Sequence, residues 1–114
     1  MVKFALLVTL EAKPGKEKEV EEFLAAALSL VDAEPEMVTW YAFKIGFSKF
    51  GIFDSFASEE GREAHLAGEI AAALMDKAPD LFTKYPKIEH LDVLAVRELN
   101  IDESLEKSNA LYKA

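Results

Sequence analysis

The chain has two histidines and no cysteine, so acid–base chemistry near neutral pH falls to His65, His90 and the carboxylates beside them. His65 stands in the run Gly61-Arg62-Glu63-Ala64-His65-Leu66-Ala67-Gly68. On a helix, residues three and four apart are neighbours. That spacing puts Gly61, Gly68 and Ala72 beside the imidazole and leaves its flank bare. Leu66, Ile70 and Leu74 lie well round the helix, while Arg62, Glu69 and Asp76 border the other flank. A neutral imidazole so placed can reach a cleft with a polar mouth and act as a general base. The same spacing also fits an ordinary core-edge histidine making one hydrogen bond.

Aromatic residues crowd the stretch just before it: Trp40, Tyr41, Phe43, Phe47, Phe50, Phe53 and Phe56. Together they could wall a pocket for a flat aromatic ligand through stacking and edge contacts. Any one of them is equally well explained by core packing. Adjacent strand residues face opposite ways, so Trp40 and Tyr41 cannot line the same side. Asp54 is a lone carboxylate in an otherwise apolar strand, and Asp92 shares a strand face with His90. Either carboxylate could orient a histidine, although an interface ion pair or an exposed edge accounts for them as simply. Two distant histidines give no metal motif. There is no Gly-x-Gly-x-x-Gly, phosphate loop or Gly-x-Ser-x-Gly, so nothing points to nucleotide, flavin or acyl-enzyme chemistry.

The 114 residues suit one domain with a single core. Apolar residues at 51% and charged residues at 30% describe a globular chain rather than a disordered or membrane-embedded one. A formal charge of -8, with nearly every lysine beside an acidic residue, excludes a sequence-independent grip on nucleic acid. No apolar run approaches the roughly 20 residues needed to cross a bilayer, and the first residues run straight into a strand pattern without a signal-peptide core. A cytoplasmic protein is expected, with no membrane partner.

Several elements position these groups. Val2 to Glu11 alternates as a strand, with Phe4, Leu6, Val8 and Leu10 on one face. Lys13-Pro14-Gly15-Lys16 is a turn. A helix from Glu17 carries the stripe Val20, Phe23, Leu24, Ala27 and Val31, widened by Leu28 and Leu30, and Pro35 ends it. Met37 to Phe47 and Phe50 to Phe56 form a hairpin of two strands. Val38, Trp40 and Ala42 share one side of the first, and Ile52, Asp54 and Phe56 one side of the second. Ser58 caps a second helix that is expected to reach Lys77 and stop before Pro79. A loop follows to Pro86, with one helical turn at Asp80-Leu81-Phe82, and a last strand spans Lys87 to Leu99. The order β-α-β-β-α-β predicts an α+β, ferredoxin-like domain over residues 1–99, with two helices on one face of a four-stranded antiparallel sheet. Residues 100–114 form a tail, either a short docked helix or frayed. Apolar residues on both faces of the strands leave a patch that a second copy would cover, which predicts a homodimer.

Four segments carry a family resemblance: Trp40-Tyr41-Ala42-Phe43, Phe50-Gly51-Ile52-Phe53-Asp54-Ser55-Phe56, Gly61-Arg62-Glu63-Ala64-His65-Leu66 and Asp92-Val93-Leu94. They resemble the antibiotic biosynthesis monooxygenase family, and within it the small bacterial members described as candidate quinol monooxygenases. The resemblance covers about Val2 to Arg97, and the Ala64-His65 pair after a strand that ends in an aromatic is its most specific element. It implies a dimeric α+β barrel with a pocket between sheet and helices in each protomer. It also implies oxidation of a small phenolic or quinol-type aromatic by molecular oxygen, with no metal, flavin or other cofactor. Carried onto this sequence, His65 becomes the base or proton shuttle. Trp40, Phe43, Phe53 and Phe56 become substrate-binding walls, and Arg62 a charge partner near the mouth. Phe56 stands where many members have tryptophan. Leu7, His65 and the Leu74-Met75 region stand where the haem-degrading branch needs asparagine, tryptophan and histidine, which argues against haem cleavage. An isomerase or tautomerase using the same histidine, or a non-catalytic small-molecule-binding dimer, fits the same scaffold.

Overall fold

The computed structural model describes residues 2–97. Four strands, β1 (Phe4–Glu11), β2 (Met37–Lys44), β3 (Lys49–Phe56) and β4 (Lys87–Asp92), form one antiparallel sheet in the order β2-β3-β1-β4. Four helical segments, α1 (Glu17–Ala26), α2 (Leu28–Val31), α3 (Glu59–Leu66) and α4 (Glu69–Leu81), complete the chain order. The two crossovers interlock, since β1 and β2 flank β3 while β3 and β4 flank β1. This is the predicted ferredoxin-like α+β fold.

The alternation read from the strands sets the two faces. On one face Leu6, Val8, Leu10, Phe50, Ile52 and Phe56 are buried. They meet Val20 and Leu24 of α1 and Ile70, Leu74, Ala78 and Leu81 of α4, the residues that recur at helical spacing. Each large side chain in this layer contributes about 1.5–3 kcal/mol by leaving water. Ladder register places His90, Leu6, Asp54 and Trp40 in one row across this face. On the open face the corresponding rows are Glu89-Leu7-Phe53-Tyr41 and Lys87-Thr9-Gly51-Phe43.

Four predicted boundaries move. The first helix does not run unbroken to Pro35; it interrupts at Ala27, where Leu30 N–H bonds back only three residues to the Ala27 carbonyl. The hairpin turn comes earlier than expected. β2 ends at Lys44, and Ile45 N–H and Gly46 N–H both reach the Lys49 carbonyl. The second helix divides at Ala67-Gly68 and then continues through Pro79 to Leu81. A proline so close to the end removes one backbone bond, and the buried Ala78 and Leu81 hold the final turn on the core. The last strand ends at Asp92 rather than Leu99; residues 93–97 leave the ladder after Val93 N–H bonds the Lys3 carbonyl. The predicted tail, residues 100–114, lies outside the described residues.

Candidate functional site: an aromatic cleft beside a carboxylate-bracketed histidine

Ser58 caps α3 through a 3.0 Å bond from Gly61 N–H to its hydroxyl, which sets the rotation of the helix. Arg62 and His65, one turn apart, then both face the sheet and are buried. The imidazole stacks at a tilt on Phe56, with ring centroids 5.3 Å apart. Its Nε2 lies 3.0 Å from Asp54 of β3. Its Nδ1 lies 2.9 Å from both oxygens of Glu34, in the loop between α2 and β2. Burial alone lowers the pKa of His65, but the two carboxylates outweigh it and hold the pKa above the usual histidine value. The raised pKa favours the imidazolium, which has a carboxylate on each side. These groups lie on either side of the ring instead of converging on one point, and no metal-ligand cluster occurs among the described residues.

The Asp54 contact is an ion contact whose N–H is not aimed at the oxygen. Neither Asp54 oxygen has an aligned hydrogen-bond donor among the described residues, although the residue is 1% exposed. Its neighbour in the β2–β3 ladder is Trp40, whose indole Nε1 is likewise buried without an acceptor. Asp54 keeps its 3.0 Å ion contact with His65, so the Trp40 indole is the one of the two without a polar partner among the described residues.

The flank beside His65 is not bare. The loop before β2 fills it, since a Cβ on Gly61 would meet Glu36 at 2.7 Å, and one on Gly68 would lie 3.5 Å from Glu34. Glu36 also accepts a 2.7 Å bond from the Ser58 hydroxyl. The missing glycine side chains thus make room for an acidic loop, not for a ligand. His65 lines neither the aromatic cleft on this sheet face nor the hollow on the open face.

The aromatic cleft lies further along the same sheet face. It has a volume of ≈ 330 Å³, with Trp40, Ala42 and Phe50 as floor and Leu24, Ala25 and Leu28 of α1 and α2 as wall. Glu21 and Lys44 also border it, joined by a 3.1 Å ion pair. Leu28, exposed and therefore an odd member of a core stripe, is explained by this wall.

The residues expected to share a pocket therefore separate. Trp40 floors the cleft, and Phe43 borders it although its ring lies over Gly51 on the opposite side of the sheet. Phe56 is buried beneath His65. Phe53 faces the open side and lines a different hollow with Tyr41, Thr39 and Ser55. Arg62 is not at a mouth: it is buried over the Phe4 ring and donates to the carbonyls of Ala5 and Leu91 at 3.4 and 3.3 Å. His90 and Asp92 are exposed, and His90 lies 3.6 Å from Glu63 instead of pairing with Asp92. Asp54 carried a signal in the sequence as the single charge on an apolar strand face. Glu34 carried none, since nothing in its loop is periodic.

No protein-family model and no curated protein matches the chain. Solved structures do. A protein of unknown function from Nitrosomonas europaea, NE2512, is 52% identical over 87% of this chain and 96% of its own, with a TM-score of 0.84. PA3566 of Pseudomonas aeruginosa is 21% identical over 83% and 97%, with a TM-score of 0.71. A Caulobacter crescentus protein described as a candidate antibiotic biosynthesis monooxygenase is 20% identical over 82% and 92%, with a TM-score of 0.70.

Proposed function

Because the chain belongs to one family with NE2512 of Nitrosomonas europaea and has the fold of the antibiotic biosynthesis monooxygenases, we propose that it binds a small flat phenol or quinol against Trp40 and oxidises it with molecular oxygen, acting as a homodimer. The observation that carries this reading is the apolar cleft whose indole floor adjoins the buried Asp54–His65 pair. Its shape suits a planar ring, and the pair beside it can hold and move a proton.

The reaction needs no resident cofactor. The phenol loses its proton, the anion passes an electron to oxygen, and the radical pair recombines to a peroxide that loses water to give a quinone. The protein's part is to exclude water from the ring, hold it flat and manage protons. Asp54, with its oxygens lacking an aligned donor, takes the phenol proton, and the His65 imidazolium returns one as water leaves. Neither residue lines the cleft, and Trp40, the ladder partner of Asp54, is the floor residue that joins the pair to it.

A second reading, binding without turnover, is favoured by one specific observation: both His65 nitrogens already face carboxylates. The two readings separate in one experiment. Trp40 is the only tryptophan, so its fluorescence reports directly on the cleft. Quenching by a quinol together with stoichiometric oxygen uptake supports oxidation, and His65→Gln is then expected to slow turnover about 100-fold or more while quenching persists. Quenching with no oxygen uptake leaves a binding protein. No quenching by any aromatic rejects both readings.

A further inference from the structure

The cleft has two different ends. Trp40, Ala42 and Lys44 are alternate residues of β2 on one face, so the indole and the lysine root about 13 Å apart along the strand. Between them the floor is hydrocarbon, and the wall of Leu24, Ala25 and Leu28 is hydrocarbon too. Among the described residues the only charged side chains on the cleft are Lys44 and Glu21, and both stand at the end away from Trp40. The Lys44 ammonium is held there by three contacts at once: 3.1 Å from Glu21, 5.7 Å from the Phe50 ring centre and 5.8 Å from that of Phe47. Phe50 is buried and fixed, so the ammonium sits over an immobile ring at the cleft rim rather than sweeping through solvent.

From this we infer that the ligand is a flat aromatic carrying a carboxylate at the end remote from its hydroxyl, and that Lys44 is the residue that selects it. The inference rests on the cleft reading above. A neutral aromatic leaves the Lys44–Glu21 pair as it is and gains nothing from it. An aromatic carboxylate lying along the floor brings its anion to Lys44 in competition with Glu21, whose carboxylate can swing out to water because it is half exposed. Glu21 is thus a counter-ion that a ligand displaces. A spacing of roughly 13 Å between the two side-chain roots leaves floor for a two-ring acid or a ring with a short acidic side chain.

The test is calorimetric titration of 2-naphthol and of 6-hydroxy-2-naphthoate, which present the same rings and differ only in the remote carboxylate. The acid is expected to bind about fivefold more tightly at low ionic strength, with the preference shrinking in 0.5 M salt, as for a partly exposed ion pair. Lys44→Met should abolish the preference, so that the two ligands bind with equal affinity. Glu21→Gln, which frees the ammonium, should raise the preference a further few-fold. Equal affinities in the wild type, or a preference that survives Lys44→Met, overturns this inference and leaves the cleft standing. Failure of both ligands to bind, with Trp40 fluorescence also unmoved by a quinol, overturns the cleft reading and this one with it.

Discussion

At the scale of single residues, the imidazolium of His65 makes a sign-definite prediction about pH. Its native pKa is raised because Asp54 on β3 and Glu34 on the preceding loop outweigh the cost of burial. Between the ordinary histidine value near 6.5 and the raised native value, the folded state holds a proton that the unfolded state has lost. Stability contributed by the bracket is therefore fully present below about pH 6.5 and disappears as pH climbs through the native pKa. Urea unfolding of the wild type and His65→Gln across pH 5.5–9 should show a stability difference that shrinks as pH rises. A difference that grows with pH would reverse the assignment of charge. Asp54→Asn should lower the His65 pKa, read from imidazole proton shifts, because burial then faces only Glu34; loss of that buried carboxylate should cost about 1–3 kcal/mol. The small residues beside His65 were legible from helical spacing. What fills the space they leave was not, because helical spacing says where space exists and not which distant loop enters it.

The elements follow their local chemistry except where a tertiary contact overrides it. The strands and the apolar stripes of α1 and α4 were readable because alternation and three-to-four spacing are dictated by the backbone itself. The passage of α4 through Pro79 was not, since its last turn is held by Ala78 and Leu81 against residues far away in sequence. Gly61 offers a test at this scale. Inside a helix, replacing glycine by alanine ordinarily stabilises by up to about 1 kcal/mol. Here the new methyl would lie 2.7 Å from Glu36 Cβ and 2.8 Å from its carboxylate, and the loop carrying Glu34 and Glu36 would have to lift. Gly61→Ala is accordingly expected to destabilise by about 1–3 kcal/mol, as overpacking does. It should also pull Glu34 away from His65 and so flatten the pH dependence described above. A gain in stability, measured by urea midpoint, would mean that the loop is not packed on α3 as described.

For the molecule as a whole, the proposed homodimer is argued from the open face of the sheet. Leu7, Phe53 and Tyr41 run in one row across three strands, with Phe43 and Leu91 in the rows beside it, and Tyr41 is 59% exposed. Such an apolar band is the surface that the proposed second copy would cover. The sequence announced it through strands that are apolar on both sides. What alternation left open was which side the helices take, and the burial of Leu6, Val8 and Leu10 decides that. A second copy laid sheet to sheet needs to bury about 800 Å² per partner to be stable. The chain is therefore expected to sediment as a dimer at micromolar concentration, with a melting temperature that rises with concentration. Tyr41→Glu places an unpaired carboxylate in the buried layer, a cost of several kcal/mol, and should weaken dimerisation at least 100-fold. Met75→Glu, at another exposed apolar position but on α4, should leave the dimer intact. A wild-type chain that sediments as a monomer at tens of micromolar would remove the homodimer from the proposal. The Trp40 cleft would be untouched by that result, because it is built from the other face of the same strands.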